Sequence, residues 1–248
     1  MKRICLSIDL EVDWGRGNTF SSHYELKKLL ELLDEYNVKA TFFVSTETLG
    51  SGLTSSDIKM IFEKGHEVGS HGHNHRRNSF LSEKELEKDI ETSKKILESI
   101  TGENILGYRS PYLSSHKEID NVLKKNEILY NSSNGSIWPS YKNILSTMLI
   151  RNKFTVPVSN FLYVLPLSLT YIRLLSPVLK YIPIGSGAMF MHLHEFKKEN
   201  DTSLLGRILS INSGEKAFDI LRRFIEMHSK KVKYIRCCDY HDNKGIAL

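Results

Sequence analysis

Cysteine is scarce in this chain, and the three present (Cys5, Cys237 and Cys238) form an odd set with two members adjacent. That pattern argues against a disulfide framework, disfavours a thiolate zinc site and fits a reducing compartment. Charge of one sign is also in short supply. Lys and Arg number 34 against 29 Asp and Glu, a formal charge of +5 over 248 residues. The two signs are interspersed, as in Glu83-Lys84-Glu85-Leu86-Glu87-Lys88, which marks solvated helix faces. No basic run is interleaved with aromatics, so nucleic-acid binding is disfavoured. A leader core is missing as well. The apolar run behind Met1-Lys2-Arg3 stops at Asp9, too short for a signal peptide, and a cytoplasmic location is expected.

Long hydrophobic runs are lacking except from Phe154 to Ile172, which carries no charge between Lys153 and Arg173. Pro157, Asn160, Pro166 and Ser168 interrupt it, which argues against a spanning helix. A buried or membrane-touching hairpin, or ordinary core packing, fits better. Ser/Gly-rich linkers and internal repeats are absent too. One domain over residues 1–248 is expected, with an irregular, proline-bearing apolar insertion over about 134–187.

What is present is a strand-then-helix rhythm. Strands are expected at Arg3–Ile8, Lys39–Val44, Glu67–Ser70, Ile105–Tyr108, Ile128–Asn131, Ala188–Leu193 and Lys233–Arg236. Helices are expected at His23–Tyr36, Ser56–Lys64, Ser82–Ile100, His116–Lys125 and Glu215–His228, with Ser82 and Glu85 forming a capping-box pattern. Repeated β-α units imply a parallel α/β sheet with right-handed crossovers, open or closed into a barrel. Asp9, Glu11, His71, His75, Arg109, Asn131 and His192 all lie at or just beyond the ends of these strands, where parallel barrels gather their active sites.

The polar residues form recognisable sets. Asp9, Glu11 and Asp13 alternate, so an extended chain points them one way, and three carboxylates on one face need a cation or an arginine. Asp13 also reads as an ordinary solvated acid. His71 and His75, within His71-Gly72-His73-Asn74-His75, are four apart and able to share one ion on a helix or tight turn. Arg109-Ser110-Pro111-Tyr112 offers an arginine that can hold a carboxylate ionised. In Met191-His192-Leu193-His194-Glu195, strand alternation would put His192 and His194 on one face, either of them a candidate proton-transfer group.

In this order the segments resemble the polysaccharide deacetylases of carbohydrate esterase family 4, the NodB-homology domain. Gly69-Ser70-His71-Gly72-His73-Asn74-His75 and Gly107-Tyr108-Arg109-Ser110-Pro111-Tyr112 carry the resemblance most strongly. It implies a distorted (β/α) barrel, often of seven strands, and a bound divalent ion, zinc first, with cobalt, nickel, iron or manganese as alternatives. Carried over by position, Asp9 is the general base and Arg109 orients it. Glu11, His71 and His75 hold the metal, with Asp13 the alternative carboxylate. The backbone N–H of Tyr112 helps hold the oxyanion, and His192, rather than His194, is the general acid. Asp9-Leu10-Glu11-Val12-Asp13 is similar to a subgroup with a D-x-E-x-D first motif. Asn131 stands where the family usually carries an aspartate that tunes the catalytic histidine, so it could orient His192 without charge-stabilising it.

The resemblance implies a metal-dependent hydrolase that removes an N-acyl group, foremost N-acetyl, from an amino sugar in a glycan or glycan precursor. A deformylase or other C–N amide hydrolase on a lipid-linked sugar or non-sugar amide is the second expectation. A catalytically degenerate carbohydrate-binding protein is the third. The charge-free stretch would suit a lipid-linked substrate or peripheral membrane contact.

Overall fold

The computed structural model of the chain describes residues 1–11, 23–139, 154–161, 165–176, 184–198 and 203–242. β1 (Lys2–Leu10) is buried from Ile4 onward, and its two faces meet different surroundings. Ile4, Leu6, Ile8 and Leu10 pack with the helix leucines in the main core, while Cys5 joins Phe43, Tyr130, Ala188 and Cys237 in a second cluster. Because successive side chains alternate, the odd positions Cys5, Ser7 and Asp9 share this second, inner face. Asp9 is thus delivered to the interior by the same alternation that sends Ile8 and Leu10 against the helices.

β2 (Thr41–Val44), β3 (Glu67–Ser70), β4 (Gly107–Tyr108), β5 (Tyr130–Asn131), β8 (Gly187–His192) and β9 (Val232–Ile235) complete a seven-stranded sheet with β1. The path runs β5-β4-β3-β2-β1-β8, and every pairing within it is parallel. β9 also pairs parallel with the first half of β1, from Lys2↔Val232 to Cys5↔Ile235. Residues 154–159 span from β5 to β8. Asn131 N–H donates to the Phe154 carbonyl (2.8 Å), and Val156 N–H to that of Asn131 (3.0 Å). Ala188 N–H donates to the Pro157 carbonyl (2.7 Å), and Ser159 N–H to that of Ala188 (2.8 Å). The sheet therefore curls into a distorted (β/α) barrel whose last gap is bridged by irregular chain. Part of the expected insertion is in this way a stave of the barrel.

The helices form where apolar spacing and caps coincide. α1 (His23–Glu35) buries Leu26, Leu29, Leu30, Leu32 and Leu33, each contributing about 1.5–3 kcal/mol of apolar burial. α2 (Ser55–Glu63) starts on a Thr54/Asp57 capping box, and α3 (Glu83–Thr101) on the expected Ser82/Glu85 box. α3 ends at Gly102 with φ +75°, a left-handed cap that glycine adopts without penalty. α4 (Ile119–Lys125) is shorter than expected, and α7 (Glu215–His228) spans the expected residues. Among the described residues, three short helices lie outside the sequence expectation: α5 (Leu169–Leu174), α6 (Leu204–Leu209) and α8 (Cys237–Asp242).

Within the charge-free stretch, β6 (Asn160–Phe161) and β7 (Leu165–Pro166) form an antiparallel hairpin. Val156, Val158, Leu167, Leu169 and Ile172 around it are buried in the protein. Among the described residues, no helix is long and apolar enough to cross a membrane.

Candidate metal centre and active-site cleft

The C-terminal ends of β1, β3, β4 and β8 converge on one cleft of about 540 Å³ lined by Asp9, Glu11, His71, Tyr112 and His192, among others. Glu11 follows directly on β1. One of its carboxylate oxygens lies 3.2 Å from His71 Nε2 and 2.5 Å from His75 Nε2. One candidate ligand atom from each of the three residues lies within 4.8 Å of the others.

The protonation of this triad can be read from its partners. His71 Nδ1 lies 2.7 Å from the Arg109 carbonyl oxygen, which can only accept, so the ring proton sits on Nδ1. The Nε2 lone pair then faces the Glu11 carboxylate, an acceptor opposite an acceptor. His75 Nε2 is buried and makes no hydrogen bond despite its closeness to Glu11. Lone pairs converging without a shared proton suit a cation, so these residues fit a divalent metal. Burial alone would raise the Glu11 carboxyl, but the neighbouring His192 imidazole, first among the groups around it, holds it well below the usual carboxylate range.

The loop after β3 is shaped for this task. His71 to His75 lie in a loop and not on a helix; Gly72 has φ +78° and His75 φ +46°. Asp89, on the buried face of α3, accepts the backbone N–H groups of His73 and Asn74, both at 2.9 Å. A Cβ on Gly72 would sit 2.6 Å from the same carboxylate, so a larger residue would displace it. The His73 imidazole turns away to Thr46 Oγ1 (2.8 Å). The middle histidine of the motif therefore stands outside the triad.

Asp9 is buried beside this centre, and its Oδ1 accepts from Arg109 Nη1 at 2.7 Å. Arg109 is fully buried, donates through Nε and Nη2 to the Ser132 carbonyl (3.2 Å) and Oγ (2.9 Å), and lies 4.3 Å from the Phe43 ring centre. Tyr112 sits in a tight turn after Pro111 with φ +57°, followed by Leu113 at φ +51°. Non-glycine residues in this region cost about 1–3 kcal/mol each, strain of the kind that collects at functional sites. The Tyr112 ring packs 4.9 Å from the His75 ring, and Arg77 lies 4.2 Å from its centre.

His192 ends β8 in register with Asp9. Its Nε2 is 3.5 Å from Glu11 Oε1, and its Nδ1 is 3.4 Å from Glu195 Oε1. Burial would lower this imidazole, but the carboxylates of Glu11, Glu195 and Asp9 raise it to about 9. His194 stacks on His192 with ring centres 5.0 Å apart. It belongs to a one-turn 3₁₀ helix, Leu193–Phe196, so the turn rather than strand alternation brings the two rings together. Burial and the charge of His192 push His194 down to about 4.

One sequence expectation changes here, and another falls outside the described residues. The Asn131 side chain is engaged locally, its Oδ1 accepting from Ser133 N–H (3.0 Å) and Oγ (2.5 Å), so this oxygen is taken up away from His192. Asp13, the alternative metal carboxylate, lies outside the described residues. Sequence reasoning missed Asp89, although an acid between Leu86 and Ile90 on an apolar helix face was a visible signal. It also missed Ser132, whose role depends on a contact no sequence pattern announces.

Residues 13–130 match the family model described as Polysaccharide deacetylase. That span holds His71, His75, Arg109 and Tyr112; Asp9, Glu11 and His192 lie outside it and enter through the geometry. The chain is 29% identical over 121 residues to a peptidoglycan deacetylase of Helicobacter pylori, covering 49% of this chain and 40% of that protein. It is 35% identical over 86 residues to a peptidoglycan-N-acetylglucosamine deacetylase of Bacillus cereus, covering 34% and 38%. The chain thus spans less than half the length of these relatives. In fold it is similar to a carbohydrate esterase family 4 pseudoenzyme from Bacillus anthracis, with TM-score 0.63 and 18% identity over 97% of this chain and 66% of the other.

Proposed function

We propose that this chain, a member of the polysaccharide deacetylase family over residues 13–130, is a metal-dependent hydrolase that removes an N-acyl group, foremost N-acetyl, from an amino sugar of a glycan or glycan precursor. The observation that carries the reading is the convergence of Glu11, His71 and His75 beside the Asp9–Arg109 pair and His192 in one cleft. A barrel alone would not, since a fold neighbour is a pseudoenzyme.

Glu11, His71 and His75 would hold the divalent ion, zinc first, with cobalt, nickel, iron and manganese also compatible with these donors. Such an ion supplies Lewis acidity, polarising the amide carbonyl and lowering the pKa of water. The remaining chemistry belongs to the chain. Asp9, aimed by Arg109, takes the proton of the attacking water. The backbone N–H of Tyr112, in its strained turn, faces the developing oxyanion. His192 gives its proton to the amide nitrogen, which cannot otherwise depart as an amine. Water and amide are consumed, and a carboxylic acid and a free amine are formed.

The cleft also has an apolar flank of Ile137, Trp138, Leu174, Leu205, Ile208 and Leu209. This supports a glycan precursor carrying an apolar group, such as a lipid-linked amino sugar, as the preferred substrate. The three cysteines are free, which supports a reducing, cytoplasmic setting.

The test is elemental analysis together with acetate release from N-acetylglucosamine oligomers and a lipid-linked N-acetylamino sugar. About one divalent ion per chain is expected, lost along with acetate release in H71A/H75A. No ion after reconstitution with zinc, cobalt or nickel, and no acetate, would leave a carbohydrate-binding barrel as the better reading. Equal rates on the free and lipid-linked sugars would remove the apolar-substrate preference alone.

A further inference from the structure

The resemblance places the orienting group for His192 at position 131, where the Asn131 oxygen is engaged by Ser133. A different carboxylate stands at the same imidazole. Glu195, three residues on in the turn that follows β8, accepts the backbone N–H of His192 at Oε1 (3.0 Å), and the same oxygen lies 3.4 Å from Nδ1. Its other oxygen is held by Arg173 through Nε (3.1 Å) and Nη2 (2.8 Å), and by Thr170 Oγ1 (2.9 Å). Arg173 is in turn fixed by the carbonyls of Ile211 (2.6 Å) and Leu209 (2.9 Å). The side chains of Arg173 and Glu195 are 3% and 2% exposed, so neither has room to turn away.

Resting on the deacetylase reading above, we propose that Glu195, clamped by Arg173, is the positioning residue that fixes His192 from both sides of the turn, its carboxylate holding the His192 backbone N–H and its own backbone N–H meeting the His192 side chain, so that Nε2 addresses the substrate. The role expected of a residue on β5 is thus performed from the far side of the histidine, by a buried ion pair anchored on α5 and the turn after α6. These reciprocal bonds between residues three apart hold the backbone and the ring of His192 together, and the clamped carboxylate stands 3.4 Å from Nδ1. Arg173 closes the charge-free stretch of the sequence, which explains a lone cation at the end of an apolar run.

The experiment compares wild type, E195Q and R173M/E195Q on two substrates. One is an N-acetylglucosamine oligomer, whose amine must be protonated to leave; the other is 4-nitrophenyl acetate, whose phenolate leaves unaided. The double variant removes the buried cation that E195Q would strand, so folding is secured independently of the carboxylate. Expected is a fall in kcat of roughly 10- to 100-fold on the oligomer in both variants. KM and metal content should stay within about twofold, and so should the rate on the ester. Equal losses on both substrates, or no loss on the oligomer, would overturn the positioning role. An inactive wild type would instead withdraw the deacetylase reading, and this inference with it.

Discussion

Arg109 combines full burial, one carboxylate partner and a serine that receives two of its donors. A guanidinium in such a place is stable only while its charge is answered, because desolvating it costs more than surface pairing returns. Asp9 answers it at 2.7 Å, and the Phe43 ring covers the guanidinium carbon. R109M therefore strands a buried carboxylate. It should lower unfolding free energy by about 3–5 kcal/mol and abolish acetate release. D9N/R109M, with both charges gone, should recover much of the stability and none of the activity. Urea unfolding of both variants checks this, and a loss below about 1 kcal/mol in R109M would mean the pair is far more hydrated than its geometry indicates. Arg109 was legible in the sequence as an arginine at a strand end, and Asp9 as an acid ending an apolar run. That they meet across a hundred residues follows from the parallel order of β1 and β4, which single residues do not encode.

Loops that carry ligands are only as precise as the elements behind them. Here α3 supports the loop after β3 through Asp89, whose carboxylate takes two successive N–H groups and occupies the space beside Gly72. D89A should leave the helix in place and loosen the loop, weakening zinc binding by about 10- to 100-fold in a chelator competition titration. Unchanged affinity would show that β3 and the turn at Tyr112 position His71 and His75 unaided. Elements with a clean period and a cap were legible: α1, α3 with its Ser82/Glu85 box, α7, and β3 all stand where the residue pattern put them. α5, α6 and α8 were not, because a six-residue helix shows under two turns of periodicity and relies on packing. The stave at residues 154–159 was hidden for a different reason. Pro157 removes a donor from it, so it pairs only in part and lacks the alternation of a strand.

The barrel divides its labour between its two ends, with the chemistry at the C-terminal ends of the strands and the fastening at the other. At the fastening end Glu67 accepts from Thr41 Oγ1 (2.7 Å), Tyr130 OH (2.7 Å) and Cys238 N–H (3.0 Å), tying β2, β3, β5 and α8 together. Beside it, His66 is buried with Nδ1 accepting the Ala40 N–H (3.1 Å) and no partner for Nε2. Burial first, and the nearby charge of Lys39 next, push this imidazole down to about 4. As pH falls below about 6.5, the unfolded chain binds a proton that the folded chain refuses. Stability present above that pH is thus lost progressively down to about 4, on the order of 3 kcal/mol for the whole window. His194, pushed down in the same way, acts over the same range. Glu195, held below the usual carboxylate range because Arg173 and His192 outweigh its burial, adds a further loss only below about 4.5. H66Q keeps an acceptor for Ala40 and cannot titrate. The difference in urea midpoint between wild type and H66Q should therefore shift in favour of the variant as pH drops from 7 to 4.5, with the contributions of all other groups cancelling. A difference independent of pH would mean that His66 takes up its proton in the folded barrel, and that acid sensitivity originates at the catalytic end instead.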